Sequence, residues 1–158
     1  MDVLYFINLL VLQAAVSYGL FKLSQLNKHY SLFVLYIGLI YLTEIVSAFS
    51  AYHLSTNIYI YHIALPMQFI LVSLIVSGIL GNMFSYRTLI VLVPIFLVTG
   101  LSFQQGVDTF PSAGTVIFSL FFISSILFIM KRLATNQTVF KLHQHPDFWF
   151  SMGGLTFY

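Results

Sequence analysis

Five long apolar stretches occupy most of this 158-residue chain. A helix of about 20 residues spans a hydrocarbon core of about 30 Å, so each stretch is long enough to cross a bilayer. Only 6% of the residues are charged, whereas a soluble domain carries about 25%. Lipid must therefore cover part of the surface, and the sequence predicts one all-α transmembrane bundle over residues 1–158. The five predicted full spans are 3–23, 31–53, 58–80, 86–104 and 112–130.

The basic residues predict how these spans are oriented. All six Lys and Arg residues lie in or flank alternate breaks between the stretches, and the breaks at 54–57 and 105–111 carry none. Because Lys and Arg concentrate in cytoplasmic loops, this pattern predicts a multi-pass protein with its N-terminus outside. The six residues are Lys22, Lys28, Arg87, Lys131, Arg132 and Lys141.

Composition and motifs argue against catalysis and against nucleic-acid binding. The net charge of +2 comes from the breaks predicted to lie inside, so it reports orientation. The chain has no Cys, which excludes disulfides, thiolate metal sites and Cys nucleophiles. It also has no HExxH, GxSxG or Walker motif. We therefore predict a protein that is not an enzyme and that needs no cofactor.

The last segment, 147–158, predicts a partial sixth helix. About 12 residues make about 18 Å of helix, which is too short to span. One explanation is a truncated reading frame, favoured because the run is still apolar at Tyr158. The other is a helix that lies at the membrane interface, where Trp149 would sit among the headgroups.

Glu44 is the only acid deep inside a predicted span. A charge at the bilayer centre costs about 2.5–3.5 kcal/mol on the insertion scale, so Glu44 should face the bundle interior. The turn at 54–57 makes the second and third spans antiparallel neighbours and places Gln68 at nearly the same depth. A hydrogen bond between Glu44 and Gln68 would serve either a ligand or proton site or a clamp that only fixes packing.

Two histidines flank the same turn. His53 lies near the predicted outer surface, and His62 lies about 7 Å below the outer edge. With Glu44, Tyr61 and Gln68 they form a candidate ligand-binding pocket open to the outside. The alternatives are that both histidines are interfacial side chains, or that they bind a metal, since neutral imidazole is a good ligand.

Two further features are weaker. His143 and His145 stand two residues apart in the last polar segment, a spacing that can bind a metal but usually needs a third ligand. In the first span, Gln13 and Ser17 share one face, and Ala15 with Gly19 forms a pair of small residues that lets a neighbouring helix approach closely.

Several short motifs carry a resemblance to a known group of proteins. They are Thr43-Glu44, Tyr61-His62 with Pro66, Pro146-Asp147-Phe148-Trp149, Gly153-Gly154-Leu155 and Tyr158. With these motifs the chain resembles uncharacterised Bacteroidetes-type seven-helix integral membrane proteins, some of which are similar to the membrane regions of sensor histidine kinases. The resemblance implies a bacterial cytoplasmic (inner) membrane, an outside N-terminus and about seven helices in a complete protein. It implies no site residue.

These observations predict a non-catalytic sensory or small-ligand-binding module. Its outer pocket would bind the ligand, and its inner face would transmit the resulting helix movement to a cytoplasmic signalling partner. The first alternative is an accessory subunit of a larger membrane complex, in which Glu44 and the small-residue faces only serve packing. A transporter is a third alternative.

Overall fold

The computed structural model describes residues 3–54, 56–80, 106, 109–135 and 146–157. Over those ranges the chain is helical, with one 3-10 turn at Leu23–Gln25 and no strand, which confirms the predicted all-α class there. The predicted span 86–104 lies outside the described residues. The five helices are α1 (Val3–Phe21), α2 (Lys28–Leu54), α3 (Ile58–Leu80), α4 (Ser112–Thr135) and α5 (Pro146–Phe157).

Three of these helices, α2, α3 and α4, are long and apolar enough to cross a membrane. Helix α1 is also apolar but shorter, with 19 residues. The predicted helical fold is therefore confirmed over the described residues, and these three helices support the predicted membrane class. Helix α3 has the predicted bounds, whereas α4 continues to Thr135, five residues beyond the predicted end. Helical hydrogen bonding does not require apolar side chains, and Lys131 and Arg132 can extend their charged ends to water.

Helices α2 and α3 form an antiparallel pair, as the short turn predicts. Ser47 of α2 bonds Tyr61 of α3, and Ser50 bonds Tyr59, so the residue numbers fall on one helix as they rise on the other. Helix α1 packs antiparallel against the other end of α2, where Gly19 lies against Val34. Helix α2 thus contacts both of its neighbours in the chain.

Helices α3 and α4 run parallel to each other. At their N-terminal ends, His62 bonds the backbone oxygen of Thr109, and Tyr61 contacts Phe110. At their C-terminal ends, the Arg132 guanidinium donates to the Leu80 backbone oxygen at 2.7 Å. Leu80 and Thr109 therefore lie at opposite ends of the bundle.

The described Lys and Arg side chains share one end of the bundle, which we call the basic end. Lys22 follows α1 and Lys28 begins α2, and the Tyr30 hydroxyl donates to the Asp147 carboxylate at the start of α5. Lys131 and Arg132 lie there too, beside the C-terminus of α3. The opposite end, which we call the turn end, holds Thr56, Asn57, Thr109 and Phe110. Arg87 and Lys141 lie outside the described residues.

The core lies between α3 and α4 and is built from aromatic and branched side chains. Phe69 is fully buried, with ring centroids 5.7 Å from Phe118 and 4.7 Å from Phe121. Near the basic end α5 completes this core, where Phe150 meets Phe33 of α2 edge to face at 5.0 Å. The shared core fixes the relative depth of the helices that carry the polar side chains.

Candidate functional site

A stripe of buried polar side chains follows one face of α2. Thr43, Ser47 and Ser50 stand four and three residues apart, which aligns them on a helix, and each is less than 10% exposed. The Thr43 hydroxyl donates back to the Leu39 backbone oxygen at 2.7 Å. The two serines instead bond across to α3, so the stripe marks the α2–α3 interface.

Hydrogen bonds close this interface at the turn end. The Asn57 amide donates to the Ser47 oxygen at 2.7 Å, and Ser47 donates to the Tyr61 hydroxyl at 3.0 Å. The single proton of Ser50 goes to the Thr56 backbone oxygen at 3.1 Å, so the Tyr59 hydroxyl is the donor in its bond to Ser50. Each of the two serine hydroxyls thus both donates and accepts a hydrogen bond, as expected of a hydroxyl group buried away from water.

Glu44 lies beside this network and faces α1. It is partly buried, and it is about 100° around α2 from Thr43, at the boundary between the α1 and α3 faces. The Tyr5 hydroxyl donates to the Glu44 backbone oxygen at 3.1 Å and lies within hydrogen-bonding reach of the Glu44 carboxyl group. Tyr61 of α3 bonds Ser47, which is one turn along α2 from Glu44. Tyr5 and Glu44 thus meet across α1 and α2 with Tyr61 on the adjoining interface, and we call these three residues the Glu44 cluster.

The expected bond between Glu44 and Gln68 is not formed. The partner that the described part of the chain gives Glu44 is Tyr5 of α1. Gln68 is partly buried on α3, seven residues beyond Tyr61 and hence about 10 Å further from the turn end. The bond required both side chains to face the α2–α3 interface, whereas the rotation of α2 turns the Glu44 side chain toward α1.

The two predicted histidines point in other directions. His53 is exposed, and its ring lies 4.3 Å from that of Phe49 and 4.9 Å from that of Tyr52, both on its own helix. His62 turns toward α4, where its Nε2 bonds the Thr109 backbone oxygen at 2.7 Å. A carbonyl oxygen only accepts, so Nε2 is the donor in this bond, and the buried Nδ1 has no hydrogen-bond partner among the described residues.

Of the predicted pocket residues, the structure places Glu44 and Tyr61 near each other, since Tyr61 bonds Ser47 one turn along α2 from Glu44. It places His53, His62 and Gln68 elsewhere. Sequence reasoning missed Tyr5, Ser47, Ser50 and Asn57. The serines had a readable signal, since their spacing from Thr43 is helical. Tyr5 had none, because its meeting with Glu44 depends on how α1 packs against α2.

No group of three or more His, Cys, Asp or Glu side chains with metal-binding geometry occurs in the described ranges. The predicted weak metal ligands His143 and His145 lie outside those ranges. The Glu44 cluster offers one carboxyl group and two hydroxyls, a set suited to hydrogen bonding and to holding a cationic group.

Comparison with protein-family models, with curated proteins and with solved structures finds no match for this chain. The resemblance to seven-helix membrane proteins therefore stays a prediction, and the function proposed below depends on the geometry of the described residues.

Proposed function

We propose that the chain crosses a bacterial cytoplasmic membrane five times, with the N-terminus outside and α5 as part of a sixth helix. The support is the parallel pairing of α3 and α4. Helix α3 ends at the basic end and α4 begins at the turn end, which supports one crossing of the bilayer between them. The apolar stretch 86–104 is the segment whose composition suits that crossing. The positive-inside rule then makes the basic end cytoplasmic.

Cysteine labelling tests this topology on a clean background, because the chain has no native Cys. Thr56, Thr109 and Thr135 are exposed in the structure. We expect Thr56→Cys and Thr109→Cys to react with an impermeant thiol reagent in intact cells, and Thr135→Cys to react only after lysis. Labelling of Thr135→Cys in intact cells, with protection at position 109, would invert the proposed orientation.

We further propose that the protein is a non-catalytic sensory module that binds a small polar ligand at the Glu44 cluster. The observation that carries this proposal is the contact of Tyr5 with Glu44 across α1 and α2, one turn from the bond between Ser47 and Tyr61 of α3. Ionisable side chains inside a membrane are costly and typically mark functional sites. A carboxyl group with hydroxyl groups near it favours a ligand with a cationic or hydrogen-bond-donating group.

The cluster is suited to coupling because α1 is tied to it through Tyr5. A ligand that takes over the Glu44 carboxyl group competes with Tyr5 and changes the contact between α1 and α2. Helix α2 is continuous for 27 residues from the basic end past Glu44. A shift of α1 against α2 would therefore be transmitted to the basic end, where a cytoplasmic signalling partner would detect it.

A thermal-shift screen tests ligand binding. The purified protein in detergent is heated with a set of small amines, amino acids and other polar metabolites. We expect at least one to raise the midpoint of unfolding, because a ligand that binds only the folded state stabilises it. Glu44→Gln should remove that shift while leaving the unliganded midpoint nearly unchanged, since a glutamine amide still accepts from Tyr5. Tyr5→Phe should weaken the shift.

Tyr18→Phe is the matched control for Tyr5→Phe. Tyr18 is on the same helix and 67% exposed, so loss of its hydroxyl should leave the shift intact. If no compound shifts the wild-type midpoint, or if Glu44→Gln keeps the shift, the ligand-binding proposal is wrong.

The closed network around Ser47 and Ser50 favours a second candidate function, that of an accessory subunit in a larger membrane complex. In that case the polar side chains only clamp α2 to α3. Interhelical hydrogen bonds in membranes contribute about 0.6 kcal/mol on average, so Glu44→Gln would then change neither stability nor any ligand response. Co-purification with other membrane subunits in a mild detergent would support this candidate.

A further inference from the structure

The outward face of α1 carries a second pattern that the Glu44 cluster does not use. Side chains spaced alternately four and three residues apart line it, and all of them are exposed. This is the a/d spacing of helices that pair in a left-handed coiled coil. We call these residues the α1 seam: Phe6, Leu10, Gln13, Ser17 and Leu20.

The seam is free because α2 packs against a different face of α1. Tyr5 and Gly19 make that contact, and the seam is centred about 100° away around the helix. The contact with α2 is close, since a Cβ added at Gly19 would lie 2.8 Å from the Val34 methyl groups. Helix α1 is thus held at a fixed rotation, with the seam directed away from the described helices.

Gln13 is the costly member of the seam. It lies near the middle of α1, is exposed, and makes no hydrogen bond to any residue that the structure describes. A primary amide without a partner costs about 4–8 kcal/mol on transfer from water to hydrocarbon. Ser17 lies one turn further along the same face. Lipid cannot satisfy these groups, whereas another helix can.

We propose that the α1 seam is a homodimer interface, with α1 of a second copy as its occupant. Two copies in one membrane share the same orientation, so their α1 helices can pair in parallel around a two-fold axis normal to the bilayer. Gln13 then meets Gln13 of the second copy at the same depth. An amide carries both donors and an acceptor, which makes this position self-complementary. A polar residue at one seam position also fixes the register of such a pair.

Disulfide crosslinking in native membranes tests the interface. Gln13→Cys and Ser17→Cys should each form covalent dimers on mild oxidation, because the seam brings both positions close to the axis. Val11→Cys is the matched control: it is 56% exposed, two residues from Gln13 and on the opposite side of α1, so it should remain monomeric. Equal crosslinking at positions 11 and 13, or none at 13 and 17, overturns the proposal.

Dimer dissociation in detergent supplies the energetic test on a chain without added cysteines. Gln13→Leu should weaken dimerisation by about 3- to 30-fold, the range that interhelical hydrogen bonds give in membranes, whereas Gln13→Asn should retain most of it. A wild-type protein that sediments as a monomer at all concentrations, or a Gln13→Leu dimer as tight as wild type, contradicts the proposal.

Discussion

Gly19→Ala should destabilise the protein by about 1–3 kcal/mol, the usual cost of overpacking a close contact. An added Cβ at Gly19 would lie 2.8 Å from both Val34 methyl groups, a separation that real Cβ atoms essentially never show. Val34 cannot easily move aside, because a β-branched side chain in a helix has one strongly preferred rotamer. Helix α1 would therefore have to move away from α2. The midpoint of thermal or denaturant unfolding in detergent measures the effect.

Gly38→Ala is the matched control and should have the opposite sign. Gly38 also lies within a helix, here α2, but a Cβ added there meets nothing within 4 Å. Removing a glycine from a helix without strain stabilises it by about 0.4–1 kcal/mol, because the unfolded chain loses freedom. If both variants are equally stable, or if Gly19→Ala is the more stable one, the close contact between α1 and α2 is wrong.

The helices and their mutual direction were predictable from the sequence because both depend on local or cumulative signals. The run at 58–80 became α3 with the same bounds, since an apolar stretch of that length has no other low-energy form in lipid. The turn at 54–57 is too short for anything but an antiparallel pair, and Ser47 and Tyr61 confirm that pairing. The charge pattern likewise placed Lys28 and Arg132 at one end.

The candidate site was less predictable because it depends on helix rotation. Depth along a helix follows from residue number, so Glu44 and Gln68 could be placed at one level. The direction of each side chain depends on the packing of all neighbours, and a few degrees per residue decide whether Glu44 faces α3 or α1. Tyr5 became the partner because Gly19 and Val34 set the register of α1. The pattern of one sequence does not predict how α1 is aligned along α2.

His62 shows the same limit from another direction. It lies near the turn end, and its partner there is the backbone oxygen of Thr109. Every residue has a backbone carbonyl oxygen, so the identity of the residue at position 109 does not predict such a bond. The contact is nevertheless informative, because it fixes the N-terminal end of α4 beside that of α3.

Phe69→Ala should be among the most destabilising single changes in the described core. Phe69 is 0% exposed and packs between α3 and α4 against Phe118 and Phe121. In soluble proteins such a truncation costs about 3–5 kcal/mol, of which part is the transfer of the ring from water. In a membrane the unfolded helices keep their apolar side chains in lipid, so the cavity and the lost contacts remain, at about 2–3 kcal/mol.

Phe49→Ala removes the same ring from the surface of α2 and separates packing from hydrophobicity. Phe49 is 65% exposed, and its ring contact is with His53 of its own helix. Lipid or detergent fills the space that the ring leaves, so the free energy of unfolding should change by less than about 0.5 kcal/mol. The comparison is made by denaturant titration in one detergent, followed by far-ultraviolet circular dichroism. A loss at Phe49 as large as that at Phe69 would mean that the α3–α4 interface is not the stabilising core.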